Sequence, residues 1–538
     1  MSDRRPEVVF AGKVASPGLT SGRLRLHVRP KIVALSTGSP TQEAARLEAA
    51  LAAASSRLAE LSTAGDAAAS AILEFQIALI EDDELLAPVR YAIAEGSPAP
   101  EAWSRVLDRQ IADYEVAEDA YFRARSADIL DLRDRVLETM AGPATSEDEP
   151  ACAEGLIFVG EDLAPSRFLE IDWGLYRGGA LSSGSTSSHV AILARSFGVP
   201  LVVGLDLNLE KLASGMEAIL DAEEGRLILD PEVATRRSLE ERRARLIAES
   251  EAAAAFLPRP AITRGGRRIA VAINVDEPRV VEGIDPRHCD GIGLTRTEFL
   301  FAGSAESRSE EAQFRVYARL VRWAEGKPVT IRTLDAGGDK PIPGLTPEGE
   351  SNPFLGLRGV RLSLGRPDMF RPQLRALARA ATHGPLKVML PMVTVPREIE
   401  QTRGLLEEVL AELNREGLAA DLPRLGMMVE VPAAALNVAA FDVDFYSIGS
   451  NDLVQYVTAT GRDCAAVAAL HDPLDPAVLE LIGRVVAHGA STGREVGLCG
   501  DMASDPRYLK RLLDLGLTSL SVAPSRLARV KAEIALYG

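Results

Sequence analysis

Three arginines, Arg296 in GLTRTEFLF, Arg332 in IRTLDAGGDK and Arg358 in NPFLGLRGVR, stand with Lys340 in the second half of this sequence. Guanidinium forks bind phosphate and carboxylate oxygens bidentately, so these cations, brought to one mouth, make a pocket for a small polyanion. Glu430 in MMVEVP and Asp452 in SIGSNDL add two hard oxygen ligands. That is the modest carboxylate set Mg2+ uses when a substrate supplies further oxygens. Cys499, in GLCGDMA between Gly497 and Gly500, is a thiol where the backbone can pass close to a ligand. Apart from these lies GSTSSHVAILAR, which sets His189 between small polar residues and an apolar run that reads as a helix start.

These residues need elements to hold them. Beyond residue 262, apolar runs recur between helical patterns: RRIAVAIN, CDGIGL, PVTIRTL, LKVMLPM, LGMMVEV, VDFYSIG, EVGLCG and SLSVAP. Eight strands alternating with helices predict a (βα)8 TIM barrel over 263–538. Arg296, Arg332, Glu430, Asn451, Asp452 and Cys499 all fall at or just past the C-terminal ends of these strands, the face where barrel active sites are built.

The first half reads as an α/β domain interrupted by helices. Short β-like runs broken by Ser16-Pro17-Gly18 open the chain, and strands return from GLIFVG onward. Between them Leu47, Leu51, Leu58 and Leu61 are spaced for one helix face. The expected organisation is an α/β domain of residues 1–39 and 142–231, with a helical bundle inserted at 40–141. A charged, helix-forming stretch at 232–262, carrying Pro258 and Pro260 near its end, is the expected linker.

Composition narrows the function classes. With 60 Lys and Arg against 77 Asp and Glu, the net charge of −17 disfavours nucleic acid or an anionic membrane as main partner and suits a cationic protein. No run approaches the length of a spanning helix, and MSDRRPEVVFAGKV lacks a signal-peptide core, so a cytoplasmic protein without membrane insertion is expected. Cys152, Cys289, Cys464 and Cys499 lie far apart with no CxxC spacing, which points to neither a zinc site nor a disulfide framework.

The motifs ASPG, LTRTEFLF, GGDK, NPFLGLR, MVEVPAA, SIGSNDLVQY and GLCGDMA, in this order, resemble the Enzyme I family of the bacterial phosphotransferase system over nearly the whole chain. The resemblance implies a swivelling phosphohistidine α/β domain with an inserted helical subdomain, then a phosphoenolpyruvate-binding barrel that dimerises. It implies transfer of a phosphoryl group from phosphoenolpyruvate to His189 and on to an HPr-type phosphocarrier, with Mg2+ as cofactor. Carried over by motif, the substrate ligands are Arg296, Arg332, Arg358, Asn451 and Arg462, with Lys340 in GGDK; the metal ligands are Glu430 and Asp452; and Cys499 is the proton donor. The insert becomes the carrier's dock, its EDDELL stretch suiting a basic partner, and 232–262 the hinge. At a helix N-terminus a neutral imidazole is a nucleophile, because the dipole disfavours imidazolium and favours the phosphoryl anion that follows.

The sequence departs from the family near the histidine. Thr186 stands where a GGRTSH-like pattern has arginine, and Ala164 replaces a threonine of DLTPS whose hydroxyl would bond the ring, with Ser166 as the expected substitute. Gln76 and His471 stand where His and Tyr are common, and Gly461 precedes Arg462 where Asp is common. Pyruvate phosphate dikinase and phosphoenolpyruvate synthase share the phosphohistidine and barrel domains but need a large ATP-binding domain, for which the residues before 150 leave no room.

Overall fold

The computed structural model describes residues 6–27, 38–64, 73, 76–115, 120–141, 155–185, 188–276, 278–302, 308–338, 340, 342, 344–347, 349–461 and 465–538. The chain forms two compact units, Met1–Ala244 and Arg245–Gly538.

The first unit is built on an eight-stranded mixed sheet. Its strands are β1 (Val8–Ala11), β2 (Lys13–Ser16), β3 (Leu19–His27), β4 (Leu156–Gly160), β5 (Tyr176–Leu181), β6 (Leu201–Val203), β7 (Glu217–Asp221) and β8 (Arg226–Leu229), in the order β1-β8-β7-β3-β4-β5-β6-β2. Successive side chains point to opposite faces of a strand. Ile157 and Val159 of β4 therefore join one core with Leu24, Val202 and Leu220, while Phe158 joins another with Phe168, Val190 and Leu193.

β3 and β4 are parallel neighbours, so a crossover must connect them. That crossover carries the helices Pro40–Ala64, Asp83–Ala94, Ala99–Glu115 and Ala120–Ala141. Their shared core contains Leu47, Leu51, Leu58 and Leu61, as the leucine spacing predicts, around a fully buried Trp103. The helix Val233–Ala254 shows no such apolar stripe; Ala253 is buried, and exposed pairs such as Arg237–Glu241 at 2.9 Å line its surface.

The second unit is a closed parallel barrel, as the eight apolar runs predict: β9 (Ala270–Val275), β10 (Ile292–Thr295), β11 (Val329–Arg332), β12 (Leu386–Leu390), β13 (Arg424–Val429), β14 (Phe445–Gly449), β15 (Glu495–Cys499) and β16 (Ser519–Val522). Strands buried on both faces must be apolar nearly throughout, which is why they read as continuous runs. Leu294, Met389, Met428, Phe445 and Cys499 form a separate buried cluster of barrel-strand residues. Outside, Arg371, Arg375 and Arg379 of the helix Pro367–Ala381 lie one turn apart. They pair with Glu408, Glu412 and Glu416 of the helix Pro396–Glu416 and with Glu310 and Glu311 of the helix Glu310–Trp323. Among the described residues no helix is long and apolar enough to cross a membrane.

Candidate active site

The barrel mouth is organised around a carboxylate that the sequence reading did not single out. Asp335, three residues past the end of β11, is fully buried. Its Oδ2 takes Lys340 Nζ at 3.0 Å, Arg332 Nη1 at 3.1 Å and Arg358 Nη2 at 3.2 Å, and its Oδ1 takes Arg358 Nε at 3.1 Å. Burial alone would raise the Asp335 pKa; Lys340, Arg332 and Arg358 outweigh it and hold the carboxyl well below its ordinary range. Glu298 was missed as well. Its Oε1 accepts from Arg332 Nη2 at 2.8 Å and from the Asp335 amide at 3.0 Å, pinning both ends of the turn after β11. A buried cation cluster demands counter-charges, so an acid three residues from Arg332 was the available signal.

Arg332, Lys340 and Arg358 thus come together as expected. Burial opposes the charges of Arg332 and Arg358, but the surrounding carboxylates more than offset it and raise both pKa values. Arg296 follows β10 but is paired with Asp276 at 2.9 Å on a half-open side chain. Its charge still reaches the Cys499 thiol. Arg462 lies outside the described residues.

Glu430 and Asp452 follow the adjacent strands β13 and β14, and both are buried. Glu430 Oε1 accepts the Met392 amide at 2.6 Å, from a backbone in the left-handed region (φ 57°) that a methionine adopts only when its surroundings enforce it. On the other side Gly449 leaves room: a Cβ there would sit 2.8 Å from Glu430 Oε2. Burial first, then the charges of Asp452 and Asp335, push the Glu430 pKa up to about 7. Two buried carboxylates on neighbouring strands fit a hard divalent cation that takes its other oxygens from substrate and water. Among the described residues no group of three or more His, Cys, Asp or Glu could hold a metal without such help.

Cys499 ends β15, 2% exposed, and its sulfur receives the Ser447 hydroxyl at 3.5 Å. Burial pushes this thiol up, so it keeps its proton near neutrality. The next residue, Gly500 (φ 102°), must be glycine, because a Cβ would meet Ser450 Oγ at 2.5 Å and Asn451 Oδ1 at 2.8 Å. Asn451 in turn accepts from the Asp501 amide at 3.0 Å and donates to Asp501 Oδ2 at 3.2 Å, tying the turns after β14 and β15 together.

In the first unit His189 opens the helix His189–Phe197. Ser188 caps that helix by accepting the Ala191 amide at 3.3 Å, and Gly198 ends it in the left-handed conformation. Val190, Ala191, Leu193 and Ala194 anchor it in the sheet core. Thr186 and Ser187 lie outside the described residues.

The structure corrects the expected role of Ser166. It is fully buried, bonded to Asp131 Oδ2 and accepting from Arg135 Nη2 at 2.8 Å, both on the inserted helices. Gln76 Nε2 reaches the same Asp131 oxygen at 2.8 Å. Ser166 is thus committed to fastening the insert to the sheet domain, and Ala164, at the start of its helix, offers no cap bond.

Comparison with known proteins agrees with this architecture. Profiles described as PEP-utilising enzyme, N-terminal; mobile domain; and PEP-binding domain match residues 11–125, 152–225 and 250–537 respectively. The phosphoenolpyruvate-protein phosphotransferase of Geobacillus stearothermophilus is 37% identical over 98% of this chain and 93% of its own length. The protein of that name from Staphylococcus aureus (strain MSSA476) is 33% identical over 98% of this chain and 94% of its own. An NMR structure of an Enzyme I protein aligns with 44% of this chain and 99% of its own at 25% identity, with a TM-score of 0.36. The chain belongs to the phosphoenolpyruvate-protein phosphotransferase family of PEP-utilising enzymes, and its activity is phosphoenolpyruvate-dependent phosphotransfer.

Proposed function

We propose that phosphoenolpyruvate phosphorylates His189, that the phosphoryl group passes on to a small HPr-type carrier protein, and that pyruvate is released, as the entry step of sugar phosphotransfer in the cytoplasm. The observation that carries this reading is the convergence of Arg332, Lys340 and Arg358 on one buried carboxylate, beside Glu430, Asp452 and a protonated Cys499, at one end of one barrel.

In this reading Arg296, Arg332, Lys340, Arg358, Asn451 and Arg462 receive the phosphate and carboxylate of the substrate. Glu430 and Asp452 would hold Mg2+, which supplies charge neutralisation for the phosphoryl oxygens. The phosphorus–oxygen bond to the enolate breaks as the His189 imidazole bonds to phosphorus. The Cys499 thiol then gives its proton to the methylene carbon of the enolate, making pyruvate, and regains one from solvent. Phosphoryl transfer asks for positioning and charge stabilisation more than covalent help, and a pinned cation cluster provides both. At the helix start, first-turn amides and the dipole favour the phosphorylated ring. Exposed Leu436, Leu470 and Leu474, in the segments after β13 and β14, support a homodimer formed through the barrel.

The test is incubation with phosphate-labelled phosphoenolpyruvate and Mg2+. Acid-labile, base-stable label on wild type and none on His189→Ala is expected, followed by transfer to added HPr. Equal label on both proteins refutes the assignment.

A further inference from the structure

A guanidinium has five N–H donors, and in Arg358 every one has an acceptor. Nε and Nη2 hold Asp335 at 3.1 and 3.2 Å; Nη1 and Nη2 hold Asp452 Oδ1 and Oδ2 at 3.1 and 3.2 Å; and the remaining Nη1 proton meets the Tyr456 hydroxyl at 3.2 Å. The side chain is fully buried. No donor is left over for a substrate oxygen, and both oxygens of Asp452 face a cation already in place. A divalent cation binding at Asp452 must share that carboxylate with a like charge among largely buried groups, where repulsion is stronger than in water.

We propose that Arg358 is a placeholder cation whose hold on Asp452 couples metal binding to substrate binding. With no metal it neutralises Asp452. A cation taken up by Glu430 and Asp452 frees Nη1 and Nη2, which turn to substrate oxygens, while Nε stays tethered to Asp335. Asp335 keeps its place because Lys340, Arg332 and the Glu298-bound amide hold it independently. Because coupling is reciprocal, a substrate that draws Nη1 and Nη2 away from Asp452 tightens the metal by the same factor. This inference rests on the reading of Glu430 and Asp452 as metal ligands.

The test reads Mn2+ affinity directly, from the free-ion electron paramagnetic resonance signal, without and with phosphoenolpyruvate. Without it, Arg358→Met is expected to bind Mn2+ about tenfold tighter than wild type, with the tightening conferred by phosphoenolpyruvate shrinking by a similar factor, whereas Arg358→Lys, which keeps the charge, stays within about threefold of wild type. The lysine variant separates charge from packing: Mn2+ binding as tight in Arg358→Lys as in Arg358→Met means that the charge at this place does not compete with the metal, and the placeholder idea fails. Unchanged or weaker Mn2+ binding in Arg358→Met also overturns it. Should Arg358→Met not fold, as judged by its circular dichroism melt, Arg358→Gln takes its place as the variant without the charge. An Asp452→Asn protein that binds Mn2+ like wild type refutes the metal-site reading instead, so the two failures are distinct.

Discussion

Replacing Asp335 by Asn tests whether one carboxylate organises the barrel mouth. Asn keeps the volume and one acceptor oxygen, but it removes the charge that Lys340, Arg332 and Arg358 share, and it turns an NH2 toward donors. Removing one partner of a buried ion pair costs about 3–5 kcal/mol. Arg332 keeps Glu298 and Arg358 keeps Asp452, so the lower end, about 3 kcal/mol, is the expected loss. At ~2–4 °C per kcal/mol for a unit of this size, that is a fall of about 6–12 °C in the barrel transition. The pH dependence follows from the depressed native pKa. Such a group contributes stability above its unfolded pKa of about 4 and loses it as pH falls through the lower folded value. Through this group the gap between wild type and Asp335→Asn therefore narrows below about pH 4. Calorimetry on both proteins as pH is lowered measures it. A gap under about 1 kcal/mol at pH 7 would refute the idea that Asp335 carries the cluster.

Three further outcomes are expected. Cys499→Ala should lose about 10²–10⁴-fold in the exchange of pyruvate methyl protons with deuterated water, followed by NMR, because positioned proton transfer has that size; a rate near wild type removes Cys499 as proton donor. His27 stacks on Phe158 at 4.1 Å, and burial first, then Arg167 and Arg25, lower its pKa to about 4. A histidine buried neutral contributes stability above its unfolded pKa of about 6.5 and loses it as pH falls toward 4, so urea unfolding of His27→Phe should show a flatter acid limb between those values; identical slopes refute this. Ser166→Ala should cost about 1–3 kcal/mol in stability, by removing one hydrogen-bond partner from each of Asp131 and Arg135, while leaving the rate of His189 labelling within about twofold; a large loss of labelling would mean that Ser166 serves the histidine after all.

The elements were legible where burial imposes a pattern on composition. Runs such as LKVMLPM and LGMMVEV must be apolar because barrel strands are covered on both sides, and Leu47, Leu51 and Leu58 mark the inner face of a packed helix. Chemistry-bearing types at strand ends were legible for the same reason, since topology gathers all eight ends at one mouth. Pairing was not. Its place three residues from Arg332 was the one local hint at Asp335; its role arises from Arg358, 23 residues on, meeting Arg332 and Lys340 at one point. The left-handed backbone at Met392 had no residue-type signal either, because glycine or asparagine is the usual mark. Ser166 looked available from its place in DLAPS, and only the packing of the insert shows its hydroxyl already engaged.

Why the mouth holds so many acids follows from what the proposed function has it bind. A pocket for a phosphate and a carboxylate needs several cations, and a folded chain cannot leave buried guanidinium groups unpaired while it waits. Asp335, Glu298 and Asp452 solve that problem at the cost of competing with the substrate for the same donors. Glu430 is the remaining acid, and the site cannot also stabilise its charge: burial, Asp452 and Asp335 push it up to about 7, so near neutrality it carries a proton much of the time. In the proposed reading, a divalent cation held by Glu430 and Asp452 would supply the charge that relieves both difficulties together, leaving Arg358 donors for the substrate. The pairing that stabilises the barrel mouth would then make productive substrate binding depend on the metal.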